Sequence, residues 1–153
     1  MEELDLRDII EVRIEICDSR AQIPVYARSG DAGMDVCSIE DVIIKPGQTI
    51  IIKTGLKVAI PEGYELQVRP RSGLSFKTPL RLANAPGTID AGYRDEVGII
   101  IQNTSITEVY EIKEGDRIAQ FVLQQVPAIN WVRVDDVQAI GQNRGGGFGS
   151  SGR

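Results

Sequence analysis

The sequence predicts an all-β domain, and three observations support this. Val12–Ile16 and Glu65–Arg69 alternate strictly between apolar and polar residues, as half-buried strands do. Ile50–Ile52 and Ile99–Ile101 are continuous β-branched runs, which are typical of strands covered on both faces. Turn-forming Gly, Pro and Asp residues interrupt the chain at short intervals, and no window has the period of an amphipathic helix.

The remaining elements follow in the same pattern along the chain. One short helix is predicted at Ser72–Lys77, shortly after Pro70. Many short strands separated by Gly/Pro turns are typical of a β-sandwich, a jelly roll or a small barrel. The further predicted strands are Val42–Ile44, Leu56–Ile60, Val109–Lys113, Ile118–Gln125 and Trp131–Val134.

The C-terminal residues have a different composition. Six of the 16 glycines lie in the last thirteen residues, and Gln142–Arg153 contains no aliphatic side chain. We therefore predict one domain, residues 1–141, followed by a flexible Gly-rich arm, residues 142–153. Such an arm is either a disordered tail or a lid whose backbone N–H groups close over bound phosphates.

Composition excludes several kinds of function. The 153 residues include no histidine, which rules out His-based nucleophile triads and His-containing zinc sites. Any catalysis must use carboxylates, hydroxyls, backbone groups, Lys, Arg or a metal ion that arrives with the substrate. The formal net charge of -5 argues against a protein that binds nucleic acid or an anionic membrane.

Cysteine usage and the N-terminal residues predict a soluble, cytoplasmic protein. Cys17 and Cys37 fit no metal-binding or disulfide framework, so we expect small buried thiols in a reducing compartment. A disulfide between the two is the alternative. Met1–Asp5 is acidic and no apolar stretch follows it, unlike a secretory leader.

Five clusters carry residues suited to phosphate or nucleotide chemistry. They combine glycine-rich turns with carboxylates, a hydroxyl beside an arginine at a helix start, and aromatic residues. Taken singly, they would be an ordinary turn aspartate, a helix N-cap by Ser72, a surface hairpin, a turn entering a strand and a disordered tail. The clusters are Ala32–Asp35, Pro70–Gly73, Asn84–Arg94, Gly115–Gln120 and Arg144–Ser150.

In this order and at these separations, the five clusters resemble the motifs of the trimeric dUTPase family (deoxyuridine triphosphate nucleotidohydrolases). The resemblance covers the chain from about Ile14 to Gly152. It implies a distorted jelly-roll subunit of the β-clip type and a homotrimer whose active sites are shared between chains. The implied reaction converts dUTP and water to dUMP and pyrophosphate with Mg²⁺. That reaction keeps uracil out of DNA and supplies dUMP for thymidylate synthesis.

The resemblance also assigns catalytic and phosphate-binding roles. Asp90 matches the catalytic aspartate that orients and deprotonates the attacking water, and in a chain without histidine a carboxylate must be the base. Asp35 matches the aspartate that supports the Asp90 region and the hydrated metal, with no direct protein ligand to Mg²⁺. Gln120 of another chain would reach the α-phosphate. The α- and β-phosphates would be held by Arg71, Ser72 and Gly73.

Selection of the nucleoside is implied in the same way. Tyr93 would lie beneath the deoxyribose, where a 2′-hydroxyl would clash. The uracil edge would be read by backbone groups and one side-chain amide, from Gly87, Thr88, Ile89 and Asn84. Four residues of the arm would close over the γ-phosphate and the uracil ring: Arg144, Phe148, Gly149 and Ser150.

Two other functions stay open at this point. A dCTP deaminase shares the fold but needs a glutamate base at the cytosine edge, whereas Tyr93 and Phe148 favour dUTP hydrolysis. A non-catalytic dUTPase-like protein would bind regulatory partners instead. Loss of Asp90 or of the arm would indicate such a protein, and both are present.

Overall fold

A computed structural model describes residues 6–152, and Met1–Asp5 and Arg153 lie outside the described residues. Residues 6–152 form eleven strands, one α-helix and one 3₁₀ turn, Val137–Ala139, so the all-β prediction is confirmed. Helix α1 is Ser72–Lys77, the range that the sequence predicts. The strands are β1 (Arg13–Ile16), β2 (Met34–Cys37), β3 (Val42–Ile44), β4 (Thr49–Lys53), β5 (Leu56–Ala59), β6 (Tyr64–Arg69), β7 (Leu80–Leu82), β8 (Gly87–Ile89), β9 (Gly98–Asn103), β10 (Tyr110–Ile112) and β11 (Arg117–Gln125).

A four-stranded antiparallel sheet carries Asp35, Arg69 and Gln120 on its strands. Its strand order is β2–β11–β6–β8, so β11 lies inside the sheet and β8 at an edge. Gln120 on β11 is aligned with Asp35 on β2 and with Arg69 on β6. Because aligned residues of neighbouring strands point to the same face, these three side chains share one face of the sheet.

The other strands form smaller antiparallel sheets. Strands β4, β9 and β7 form a three-stranded sheet, while β1 pairs with β5 and β3 pairs with β10. Strand β8 belongs to the four-stranded sheet, although β7 and β9, its neighbours along the chain, belong to the three-stranded one. The predicted surface hairpin at Asn84–Arg94 is therefore wrong, because the chain crosses between two sheets there.

The sheets enclose one core built mainly from β-branched and leucine side chains, whose removal from water stabilises the fold. Its buried polar side chains are hydrogen bonded, as buried polar groups must be. Thr54 Oγ1 donates to the Val97 carbonyl oxygen at 2.6 Å, and Asn103 Nδ2 donates to the Ile44 carbonyl oxygen at 2.9 Å. Core residues that are almost fully buried include Val36, Ile52, Leu56, Leu80, Ile99, Ile101, Ile112 and Ile118.

Several outward-facing apolar side chains differ from the sequence prediction. Ile51 is 66% exposed and is aligned with the half-buried Ile100, so neither β4 nor β9 is covered on both faces by residues 6–152. Strand β1 is exposed at all four residues rather than half-buried. In both places one side of the strand has no covering element from the described part of the chain.

Trp131–Val134 is not a strand, which corrects the sequence prediction. The segment follows the end of β11 and pairs with no strand among residues 6–152. Trp131 is 86% exposed. A β-strand requires a hydrogen-bonded neighbour, and the described part of the chain supplies none to Trp131–Val134.

The two cysteines are both free, Cys17 exposed and Cys37 half-buried. The prediction of two buried thiols is therefore wrong for Cys17. Burial raises the pKa of the Cys37 thiol. In the described part of the chain, no helix has the length and apolar character needed to cross a membrane.

Candidate active site

A groove of about 540 Å³ lies on the polar face of the four-stranded sheet, beside the first turn of α1. The turn before β8, with Ala85 and Pro86, forms another part of its wall. Its polar lining is contributed by Gln67, Arg69, Ser72, Ser75 and Gln120. A concave site with several converging polar groups is the usual form of a small-molecule site.

The start of α1 forms one end of the groove. Arg71 is the N-cap residue and Ser72 the first helical residue, so the interpretation in which Ser72 caps the helix is wrong. The Ser75 N–H donates to the Arg71 carbonyl oxygen at 3.0 Å, but the N–H groups of a first helical turn have no acceptor within the helix. Ser72 and Gly73 are exposed, which leaves these N–H groups and the hydroxyl accessible to an anion.

Asp35 positions the arginine at this end of the groove. Arg71 Nε donates to Asp35 Oδ1 at 2.8 Å, and Arg117 Nη1 lies 3.9 Å from Asp35 Oδ2. Arg71 Nη1 also donates to the Arg117 carbonyl oxygen at 3.4 Å. Asp35 is thus bound to two arginines, and its expected support of Asp90 and of a hydrated metal stays a prediction.

Gln120 lies in the same groove as Ser72 of its own chain. Its Nε2 donates to the Pro70 carbonyl oxygen at 2.9 Å, directly before Arg71. The arrangement corrects the expectation that Gln120 is supplied to the phosphate-binding residues by another chain. One chain brings Arg71, Ser72, Gly73 and Gln120 together.

Strand β8 presents its backbone beside the groove. It pairs with β6 and lies at the edge of the four-stranded sheet, so one edge of its backbone is not paired within that sheet. Gly87 and Ile89 are buried while Thr88 is exposed. A Cβ atom at Gly87 would lie 3.3 Å from Asn84 Nδ2, which shows how closely the Asn84 amide approaches β8.

The loop after β8 carries Asp90 and Tyr93. The Tyr93 N–H donates to the Asp90 carbonyl oxygen at 3.1 Å, and the Tyr93 hydroxyl donates to the Glu96 carbonyl oxygen at 2.9 Å. Glu96 Oε2 in turn accepts from the Gly55 N–H at 2.9 Å. Both Asp90 and Tyr93 are exposed, so this loop holds a carboxylate and an aromatic ring at the surface in a defined conformation.

The described residues of the arm, 142–152, do not contribute to this groove within one chain. Arg144, Phe148, Gly149 and Ser150 are all exposed, and none of them lines it. The Gly147 N–H donates to Ser150 Oγ at 2.9 Å, and the Ser150 N–H donates to the Gly147 carbonyl oxygen at 3.0 Å. Phe148 projects from this turn into solvent.

Sequence reasoning missed several residues that shape the site. Gln67 and Arg69 line the groove, and Arg69 Nε donates to Gln67 Oε1 at 2.8 Å. The alternation of Glu65–Arg69 could have identified them, because Gln67 and Arg69 are two residues apart in a strand and therefore point to the same face. No local sequence pattern indicated the role of Glu96, because its contact with Gly55 joins distant parts of the chain.

Comparisons with known proteins identify the family of this chain. A family model described as dUTPase matches residues 19–152. The deoxyuridine 5'-triphosphate nucleotidohydrolase of Zymomonas mobilis is 52% identical over 129 residues, covering 84% of this chain and 87% of that protein. The enzyme of the same name from Solibacter usitatus is 43% identical over 146 residues, covering 94% of this chain and 97% of that protein.

Solved structures show the same likeness. The dUTPase of Staphylococcus bacteriophage 80alpha with dUPNHPP has a TM-score of 0.85 and 31% identity, covering 94% of this chain and 99% of that chain. A mutant dUTPase from phage phi11 of S. aureus, solved for the coordination of a structural Mg(II) ion, has a TM-score of 0.78 and 29% identity, covering 84% of this chain and 99% of that chain.

The fold and the groove together define a nucleotide-binding protein of the jelly-roll type, which confirms the predicted fold class. The chain belongs to the dUTPase family.

Asp35→Ala should weaken substrate binding, because Arg71 loses the acceptor of its Nε–H. Both partners are about one-third exposed, so we expect a loss on the order of 1 kcal/mol, or about fivefold in the KM for dUTP. Steady-state kinetics measures this, with Asp35→Asn retaining an acceptor and most of the affinity. Asp41→Ala, which breaks an exposed ion pair with Lys113, is the matched control. An unchanged KM in Asp35→Ala would contradict the orienting role.

Proposed function

We propose that this chain hydrolyses dUTP to dUMP and pyrophosphate, keeping uracil out of DNA and supplying dUMP for thymidylate synthesis. The observation that carries the proposal is the groove beside the edge strand β8, which Ser72 and Gln120 line together. Arg71 directly precedes Ser72 at the start of α1, and β8 leads into Asp90. Membership of the dUTPase family supports the same reaction.

The phosphates bind at the start of α1. The Ser72 hydroxyl, the exposed N–H groups of the first turn and the Arg71 guanidinium supply donors and positive charge to the α- and β-phosphates. The Asp35 carboxylate accepts the hydrogen bond from Arg71 Nε and so orients the guanidinium. The Gln120 carboxamide adds a contact to the α-phosphate from the neighbouring strand.

The base binds against the backbone of β8. Unpaired N–H and C=O groups at a sheet edge can match the donor and acceptor pattern of uracil, and the Asn84 amide lies close to Gly87 to complete it. Cytosine presents a different pattern and would leave buried polar groups without partners. Such mismatches discriminate strongly between substrates.

Asp90 acts as the general base. It holds the attacking water and takes its proton as the oxygen bonds to the α-phosphorus and pyrophosphate departs. Its place in the first turn after β8 puts this carboxylate next to the segment that reads the base. In a chain without histidine, a carboxylate is the available group for this step.

Magnesium belongs to the substrate complex. Among residues 6–152, no group of three or more acidic or cysteine side chains is placed to hold a metal ion, and the Asp35 carboxylate already faces two arginines. The residues at the start of α1 fit a metal ion that the triphosphate carries, because Arg71 and Ser72 would bind the phosphates beside it. Bound Mg²⁺ neutralises charge on the phosphate oxygens.

A homotrimer with shared sites completes the catalytic centre. Within one chain, neither Asp90 nor any described residue of the arm lines the groove described above. The segment after β11 exposes Ile129, Trp131 and Val132, and the outer face of β4 exposes Ile51. Apolar patches of this kind mark contacts between chains, and closed symmetric rings are the usual form of such assemblies.

The protein acts in the cytoplasm under this proposal. Cys17 and Cys37 are both free thiols, which suits a reducing compartment.

Pyrophosphate release from dUTP, dCTP, dTTP and UTP tests the function directly. Rapid release from dUTP alone is the expected result. A deaminase would instead release ammonia from dCTP, and a regulatory protein would bind dUTP without turnover. Either outcome would overturn the proposal.

Asp90→Asn preserves the shape of the side chain and removes its charge. Turnover should fall by roughly 10²- to 10⁴-fold, the usual contribution of a general base, while the affinity for dUTP survives. Single-turnover kinetics and equilibrium binding of a non-hydrolysable analogue measure the two effects separately. A kcat near that of the unmodified protein would show that another group activates the water.

Tyr93→Ala should relax discrimination at the sugar, because it opens space for a 2′-hydroxyl. The ratio of kcat/KM for UTP to that for dUTP is expected to rise. Tyr93→Phe is the matched control, since it removes only the hydrogen bond to Glu96 and keeps the ring. An unmoved ratio in an active Tyr93→Ala variant would place the sugar gate elsewhere.

Deletion of all residues after Gly141 removes the arm but no strand. The shortened chain should keep its melting temperature and scatter light as about three chains of nearly 16.8 kDa each. Its turnover of dUTP should collapse, because a lid excludes water and positions the leaving group. Phe148→Ala should show a milder defect. Full activity in the shortened chain would mean that the arm is only a tail.

A further inference from the structure

Gly33 lies directly before β2 and against the side chain of Gln120. A Cβ atom built at Gly33 would lie 2.5 Å from Gln120 Oε1, 3.3 Å from Gln120 Cδ and 3.3 Å from Val122 Cγ2. The first of these distances is far inside van der Waals contact. Any side chain at position 33 would therefore occupy the space that now holds the Gln120 carboxamide.

The backbone at Gly33 gives no separate reason for a glycine. Ten glycines of the described chain have a positive φ, including Gly55 and Gly63, and Gly33 is not among them. An alanine could adopt the Gly33 backbone conformation without strain. The requirement for glycine at this position is one of space beside Gln120.

The carboxamide that fills this space is held from two sides. Its Oε1 faces Gly33, and its Nε2 donates to the Pro70 carbonyl oxygen at 2.9 Å. Pro70 precedes Arg71 and Ser72, the residues at the start of α1. Rotation of the Gln120 amide would break this hydrogen bond and move its polar atoms within the groove.

We propose that Gly33 is a positioning residue for Gln120, holding the carboxamide against Pro70 in the orientation that meets the α-phosphate. Gly33 acts by the absence of a side chain and does not touch the substrate. The inference rests on the proposed hydrolysis of dUTP, since it explains how one substrate contact of that site is oriented. Asp35 and Gly33 then orient Arg71 and Gln120, respectively, from the same short segment.

Gly33→Ala is suited to test this role because the clash falls on the far end of a flexible side chain. The Gln120 amide can rotate away at small cost to the fold, so the variant should keep its melting temperature within a few degrees. Its kcat/KM for dUTP should fall by roughly 10- to 100-fold, as expected when a positioned group is displaced by about 1 Å.

A double-mutant cycle separates positioning from general packing. Gln120→Ala removes the carboxamide and empties the space, so adding Gly33→Ala to it should change kcat/KM by less than about twofold. Equal losses from Gly33→Ala in both backgrounds would overturn the proposal. So would a Gly33→Ala protein with the kcat/KM of the unmodified chain.

A second readout does not depend on catalysis. In an amide NMR spectrum of the full chain, the side-chain NH₂ signals of Gln120 are identified by their loss in Gln120→Ala. These signals should move in Gly33→Ala while those of Gln67 stay in place. Unmoved Gln120 signals would refute the positioning role. If the unmodified protein does not hydrolyse dUTP, the proposed function fails, and the NMR result still decides whether Gly33 places Gln120.

Discussion

Strand β11 is hydrogen bonded to β2 along one edge and to β6 along the other, and the polar groove depends on this double pairing. Gln120 faces the groove because its register opposes Asp35 and Arg69, while the adjacent Phe121 faces the core. A one-residue slip would exchange these two side chains. A register shift between Arg117 and Ala119 interrupts the pairing with β2 just before this point, and the pairing continues beyond it at Arg117 and Cys37.

The site is built from contacts that are individually weak. The Asp35–Arg71 pair is partly exposed, and such pairs contribute little to the free energy of folding. Its contribution is orientation, because the guanidinium of a long, flexible side chain is held on one side of the first turn of α1. The hydrogen bond from Gln120 to Pro70 restrains the backbone of the same turn. The rigid sheet beneath keeps both contacts in register.

The sequence predicted the elements that have strong local patterns and failed where the determinant lies elsewhere in the chain. The alternation in Glu65–Arg69 and the turn before Ser72–Lys77 identified β6 and α1 correctly. Strands β2, β7 and β8 were missed because three or four residues are too few to establish a period of two in the sequence. The roles of the motif residues stay predictions, and the contact between Gly33 and Gln120 has no local signal in the sequence. Trp131–Val134 has the apolar content of a strand but has no partner strand among the described residues of its own chain.

The place of β8 at the sheet edge has a consequence for how the family can diverge. If the base is read by main-chain groups, the selectivity is carried by the path of the chain and not by the identity of its side chains. Exposed Thr88 can then drift among small residues without changing which base is accepted. Buried Ile89 is constrained by the core, and Gly87 by the close approach of Val68 and of the Asn84 amide. Such a specificity depends on the local path of the main chain and is difficult to alter by a single side-chain substitution.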